Sequence, residues 1–361
     1  MEEYKLLTPG PLTTSKSVKE TMMKDRCTWD NDYKELTQQI RQDLLQLAQV
    51  SKENYTVILQ QGSGSFVVES VLQTALSNKD HVLIISNGAY GKRIAQMAER
   101  IGKNYTHLAL SFDKAPNIEE IEDVLNSNDA ISHIAFVHCE TTTGILNPLE
   151  DLCELAHRYN KKLIVDAMSS FGGLEINVEQ LNIDYLISSA NKCIQGVPGF
   201  GFVIAKTTTL TETEGNASSL ALDLYDQWQV MDVDGKWRYT SPTHVVAAFK
   251  QAINELHEEG GIKKRSERYH SNNRYMREAL AQLGFKAYID EEWQSPIITT
   301  YLYPNEAFDF NHFYESMKEK GFVLYPGKLM ETPSFRIGNI GELYREDFET
   351  LVKHIKEYMN Y

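Results

Sequence analysis

From about residue 56 the chain alternates short, apolar, β-branched runs with amphipathic stretches. "TVILQ" (56–60) leads into "GSGSFVVESVLQTAL", "HVLIIS" (81–86) into "GKRIAQMAERIG", and "HIAFVHC" (133–139) into "LEDLCELAHRYN". "KLIVDAM" (162–168), "DYLISSA" (184–190) and "FGFVIAK" (200–206) follow. Runs that are apolar at every position, and not only at every second one, belong to strands buried on both faces, and the helix-period stretches between them supply the covering layers. An α/β domain with a largely parallel sheet is predicted. Past about residue 245 the texture changes to two long helix-period segments, "VVAAFKQAINELHEEGG" and "IKKRSERYHSNNRYMREALAQLG". Strands such as "IITTYLY" (297–303) then mix with helices such as "FNHFYESMKEKG" and the closing "YREDFETLVKHIKEYM". That order predicts a smaller α+β domain, with the division set at 1–250 and 251–361. There is no internal repeat and no low-complexity linker.

Length and composition narrow the function classes. A chain of 361 residues with 42% apolar and 24% charged side chains can build a large core and two domains. With 50 acidic against 36 basic residues, a formal charge of −14 and no basic run beyond "KKR" at 263–265, nucleic acid is not an expected partner. The acidic, turn-forming start "MEEYKLLTPGP" lacks the pattern of a signal peptide, and no apolar run reaches the ~18 residues a membrane helix needs. A cytoplasmic protein without membrane contact is expected. Cys27, Cys139, Cys153 and Cys193 form no CxxC pair, and the ten histidines have no HExxH spacing, so neither disulfides nor a metal is expected.

In an open parallel sheet, ligands bind beyond the carboxyl ends of the strands. At those ends stand "QGSGS" (61–65), "SNGAYG" (86–91), "CETTTG" (139–144), "DAMSS" (166–170) and "ANKC" (190–193). Glycine and serine before a helix can present backbone amides and hydroxyls to a phosphate, although the same residues serve as an ordinary cap. The segment lacks the last glycine of GxGxxG and the GK[ST] of a P-loop, which disfavours a dinucleotide or a nucleoside triphosphate. Asp166 ends an apolar strand, where a carboxylate needs a cationic or hydrogen-bonding partner; it is either a turn residue or the partner of a pyridinium N–H. Lys192, between "SSA" and a glycine-rich turn, is either a snorkelling surface residue or an amine whose burial suits it to forming a Schiff base. Amine, carboxylate and phosphate cradle together are the three fixtures of pyridoxal 5′-phosphate.

The order "GSGS…NGAYG…HCETTTG…VDAMSS…SANKCIQGVPGFGFV…YTSPTHV…FRIGNIG" resembles the class V aminotransferases of fold type I, from about residue 4 to the C-terminus. Through "LLTPGPLTTS" (6–15), "CTWDNDY" (27–33) and "RYTSPTHVVAAF" (238–249) it looks most like the branch acting on 2-aminoethylphosphonate and pyruvate. The resemblance implies a large domain with a mainly parallel seven-stranded sheet, a smaller α+β C-terminal domain beside which residues 1–20 pack, and a homodimer with a shared active site. It further implies a pyridoxal-phosphate-dependent amino transfer in phosphonate breakdown. Lys192 would carry the cofactor as an imine and Asp166 would pair with the pyridine nitrogen. Gly64 and Ser65 would bind the phosphate, Tyr90 would stack on the ring, and Thr143 would reach the ring's 3-oxygen region, with Ser170 or Ser169 nearby. Thr240, or Thr243 just beyond Pro242, would reach the phosphate of the neighbouring subunit, and Arg336 would bind the substrate anion. An alanine- or serine–glyoxylate aminotransferase of the same class is the alternative, because scaffold, lysine and arginine would be shared.

Overall fold

The computed structural model describes residues 4–329 and 332–360. Seven strands form the main sheet: β1 (Tyr55–Gln61), β2 (His81–Ser86), β3 (Asn104–Ala109), β4 (His133–Val137), β5 (Lys162–Asp166), β6 (Tyr185–Ser189) and β7 (Phe200–Lys206). Their spatial order is β1-β7-β6-β5-β4-β2-β3. All neighbours run parallel except β7, which is antiparallel to both β1 and β6.

Alternate residues of each strand feed two cores, and this is why the runs are apolar throughout. Leu83, Ile85, Phe136, Val165 and Leu186 point to one face; Val82, Ile84, Val137, Ile164 and Ile187 point to the other. Each such side chain contributes about 1.5–3 kcal/mol on burial. The first face is covered by α1 (Asn31–Leu47) through Ile40 and Leu44. The second is covered by α2 (Gly64–Ala75) and α3 (Ala89–Arg100), which follow β1 and β2 directly. Strand β3 has no apolar run in the sequence because it is the sheet edge, half-buried or exposed at every position.

A second, antiparallel sheet joins β8 (Ile298–Leu302), β9 (Tyr325–Pro326) and β10 (Ser334–Gly338) in the order β8-β10-β9. Phe335, fully buried, is ringed by Phe285, Tyr301, Phe308, Phe310 and Phe313 at centroid distances of 5.5–6.0 Å. The N-terminal segment ties the two sheets' surroundings together. Lys5–Leu6 pairs in parallel with Phe322–Val323, and the Gly338 N–H donates to Leu7 O at 2.9 Å. The chain then runs over the carboxyl ends of the main sheet, where Pro9 meets Lys192.

Candidate active site

Loops at the carboxyl ends of β1, β2, β5 and β6 enclose a cavity of about 340 Å³, within the range of small-molecule sites. Gly64, Ser65, Tyr90, Asp166, Ser169 and Lys192 line it. Thr143, Ser170, Thr240 and Arg336 do not.

The α2 N-terminus opens onto this cavity. Ser63, at the cap position, makes no side-chain cap bond, so the amides of Gly64 and Ser65 are left for a ligand. A Cβ at Gly64 would lie 2.6 Å from the Met168 methyl, so a side chain there would displace the end of Met168. The Ser65 hydroxyl accepts from Arg93 Nη1 at 3.2 Å. Arg93, one turn along α3 from Tyr90, holds its guanidinium 5.2 Å from the Tyr90 ring centroid. Sequence reasoning missed this arginine, although its i, i+3 spacing from Tyr90 was a usable signal.

Tyr90 is fixed by a buried carboxylate that sequence reasoning also missed. Glu140 Oε2 accepts from the N–H groups of Tyr90 (3.1 Å) and Gly91 (3.0 Å), while Oε1 accepts from the Thr142 N–H (3.0 Å) and hydroxyl (2.6 Å). An acid at a helix N-terminus satisfies amides that have no intrahelical partner. Burial nevertheless pushes its pKa up, against those hydrogen bonds.

Asp166 closes β5. Its Oδ1 accepts from the Met168 N–H at 2.9 Å, and Oδ2 has no hydrogen-bond partner among the described residues. Burial raises its pKa to about 6, an effect opposed by the Met168 hydrogen bond and the Lys192 and Arg93 charges. Lys192 sits in the tight turn after β6. Burial holds its amine below the ordinary lysine value, and Nζ donates to Pro9 O at 2.6 Å. Gln195 anchors that turn: it adopts a left-handed φ of 69°, and its side-chain amide donates to Tyr269 Oη (2.7 Å) and Gly341 O (2.9 Å).

The remaining expected residues lie around this centre. The Thr143 hydroxyl is buried and has no partner, whereas Cys139 and Thr141 of the same segment line the cavity. The Ser170 hydroxyl is hydrogen-bonded to His138 Nδ1 at 2.9 Å, which leaves Ser169 as the serine on the cavity wall. Thr240 is exposed on the surface outside its own cavity, and Thr243 starts the helix Thr243–Glu258 half-buried. Arg336, on β10, is fully buried and donates from Nε to Pro326 O (3.0 Å) and from Nη1 to Thr141 O (2.8 Å). Among the described residues no cluster of His, Cys, Asp or Glu could hold a metal ion, and no helix is long and apolar enough to cross a membrane. All four cysteines are free.

These residues fit pyridoxal phosphate. An amine and a carboxylate with one unpartnered oxygen stand at neighbouring strand ends, and an uncapped helix N-terminus, with a glycine at its first position packed against Met168, opens beside them. Comparison with known proteins points the same way. The family model described as Aminotransferase class-V matches residues 17–345. A 2-aminoethylphosphonate–pyruvate transaminase of Lysinibacillus sphaericus (strain C3-41) is 59% identical over 359 residues, covering 99% of this chain and 98% of that one. Another from Bacteroides fragilis (strain YCH46) is 53% identical and covers 99% of both. Among solved structures, alanine–glyoxylate aminotransferase from Nostoc sp. superposes with a TM-score of 0.90 at 23% identity, over 99% of this chain and 95% of that one. Pyridoxamine–pyruvate aminotransferase from Mesorhizobium loti does so with a TM-score of 0.91 at 19% identity, over 100% and 93%. The fold is therefore the type I aminotransferase fold implied by the sequence resemblance.

Proposed function

The chain belongs to the class V aminotransferases, and from that premise we propose that it moves the amino group of 2-aminoethylphosphonate to pyruvate, giving phosphonoacetaldehyde and L-alanine. The reading is carried by one observation: Lys192 and Asp166 face a single cavity beside the free N-terminus of α2. The choice of substrates is supported by relatives at 53–59% identity that carry those substrates in their names.

When bound, pyridoxal phosphate supplies an aldehyde to join to the substrate amine and a ring that takes up the electron pair released at the adjacent carbon. The amides of Gly64 and Ser65 and the Ser65 hydroxyl would hold its phosphate, with Arg93 supplying positive charge. Asp166 Oδ2 would accept the ring N–H, and the Tyr90 ring would lie against the heterocycle. Lys192, whose amine burial holds below the ordinary lysine value, would take up at Nζ the proton released from the amine-bearing carbon. Arg336 binds first the phosphonate of the donor and then the carboxylate of pyruvate, so one fork serves both halves of a ping-pong exchange. The segment Pro9–Pro11 roofs the cavity and keeps water from the reacting carbon.

A homodimer with a shared site is part of this reading. Phe66, in the first turn of α2, and Leu220 and Tyr239 are large apolar side chains left 48–71% exposed; a second copy would cover them and bring its Thr240 to the phosphate. Four free thiols fit a reducing cytoplasm. The test is spectrophotometric: 2-aminoethylphosphonate should bleach the aldehyde-form absorbance of the loaded enzyme and pyruvate should restore it. Bleaching by alanine with restoration by glyoxylate, and no response to the phosphonate, would transfer the chain to the glyoxylate branch.

A further inference from the structure

Beyond the cavity-lining Arg93 and Lys192, two more cations stand against residues of the cavity wall with no carboxylate partner among the described residues. Lys328 follows β9, and its Nζ donates to Tyr90 Oη at 3.2 Å while lying 4.4 Å from the ring centroid. Arg336 stands on the neighbouring strand, in register with Tyr325, whose ring centroid is 4.8 Å from the guanidinium. Tyr90 and Thr141, the groups these cations touch, both line the cavity. Neither cation has a carboxylate partner among the described residues. The chain's other buried arginines are treated differently: Arg41 pairs with Asp232 at 2.7 Å and Arg265 with Glu259 at 2.8 Å. Taking a cation out of water without neutralising it is costly; Arg336 is fully buried and Lys328 half-buried, each held against a residue of the cavity wall, and together they mark a place built for an anion with two charges.

We infer that Lys328 is the residue that separates phosphonate from carboxylate. This rests on the proposed amino transfer from 2-aminoethylphosphonate to pyruvate. Arg336 pairs with one negative charge of either substrate, and Lys328 meets the second charge, which a phosphonate carries near neutral pH as phosphate monoesters do and which pyruvate lacks. An ammonium has three donors, and only one is used on Tyr90; two remain for phosphonate oxygens. The Tyr90 hydroxyl, fixed through Glu140 at the start of α3, acts as the stay that keeps this long side chain against the cavity.

The experiment compares the parent holoenzyme with Lys328→Gln and Lys328→Arg. In a ping-pong exchange kcat/KM for each substrate reports its own half-reaction. For Lys328→Gln, kcat/KM for 2-aminoethylphosphonate should fall roughly 10- to 100-fold, the size of one charge-assisted hydrogen bond. The value for pyruvate should move much less, cofactor affinity should hold, and Lys328→Arg should recover most of the loss. Competitive inhibition by ethylphosphonate should weaken in step, and that by propionate should not. Equal losses for both substrates, no loss for the donor, or a parallel loss of cofactor affinity overturns the inference. If the parent enzyme ignores 2-aminoethylphosphonate, the proposed function falls, and the ratio of ethylphosphonate to propionate inhibition still decides the role of Lys328.

Discussion

Replacing Asp166 by asparagine should stabilise the cofactor-free protein and cripple the loaded one. Asp166 is buried, and its pKa is raised from 3.8 to about 6 chiefly by desolvation. The folded state therefore binds the proton more tightly than the unfolded state. The stability Asp166 allows is fully present below pH 3.8, is lost as pH rises to about 6, and stays lost above that. The difference of roughly two pKa units amounts to about 3 kcal/mol of charge burial at pH 7.5, shrinking to about 1 kcal/mol at pH 4.5. With an unfolding entropy of ~2.1 cal/mol/K per residue, 3 kcal/mol corresponds to a melting shift of about 4 °C in a chain of this length. Asparagine keeps the acceptor for the Met168 N–H and removes only the charge. Cofactor-free D166N should thus melt about 4 °C above the cofactor-free parent at pH 7.5, and the gap should close towards pH 4. Adding pyridoxal phosphate should reverse the order, because the ring N–H loses its carboxylate. A melting difference that is absent or independent of pH would refute the argument that Asp166 is a charge held in reserve for the ring.

Two further outcomes follow from the geometry. Arg336→Ala should lower kcat/KM for 2-aminoethylphosphonate and for pyruvate alike, each roughly 10- to 100-fold, measured as initial rates with the other substrate saturating. Gly10→Ala should slow turnover at saturating substrate, because Gly10 has φ +116° and a Cβ there would lie 2.8 Å from Lys192 Nζ; a kcat equal to the parent's would show that the roof does not position the amine.

Much of this architecture is legible in the residues, and the exceptions have physical causes. Six of the seven strands of the main sheet announce themselves because both faces are buried; β3 is an edge strand that, unlike β1 at the other edge, is left half-buried or exposed at every position, and so reads as a loop. At the cavity, Lys192, Asp166 and the turn before α2 are readable together because each sits where an apolar strand ends and a chemically demanding group begins. Placement within a motif is harder. In "CETTTG" the cavity wall is made by Cys139 and Thr141, and in "DAMSS" by Asp166, Met168 and Ser169 but not Ser170, because the turn geometry, which the sequence does not state, decides which side chain faces inward. Glu140 reads as one more polar residue of that motif, although it organises the start of α3. Lys328 had no local signal at all, since its partner Tyr90 lies 238 positions away.

The account depends most directly on which nitrogen carries the cofactor. The loaded enzyme should be reduced with borohydride, digested and mapped by mass spectrometry. A pyridoxyl label on the peptide containing Lys192, and its disappearance in Lys192→Ala, is the predicted result. A label on another lysine, or no label on protein shown to hold the cofactor, would contradict it.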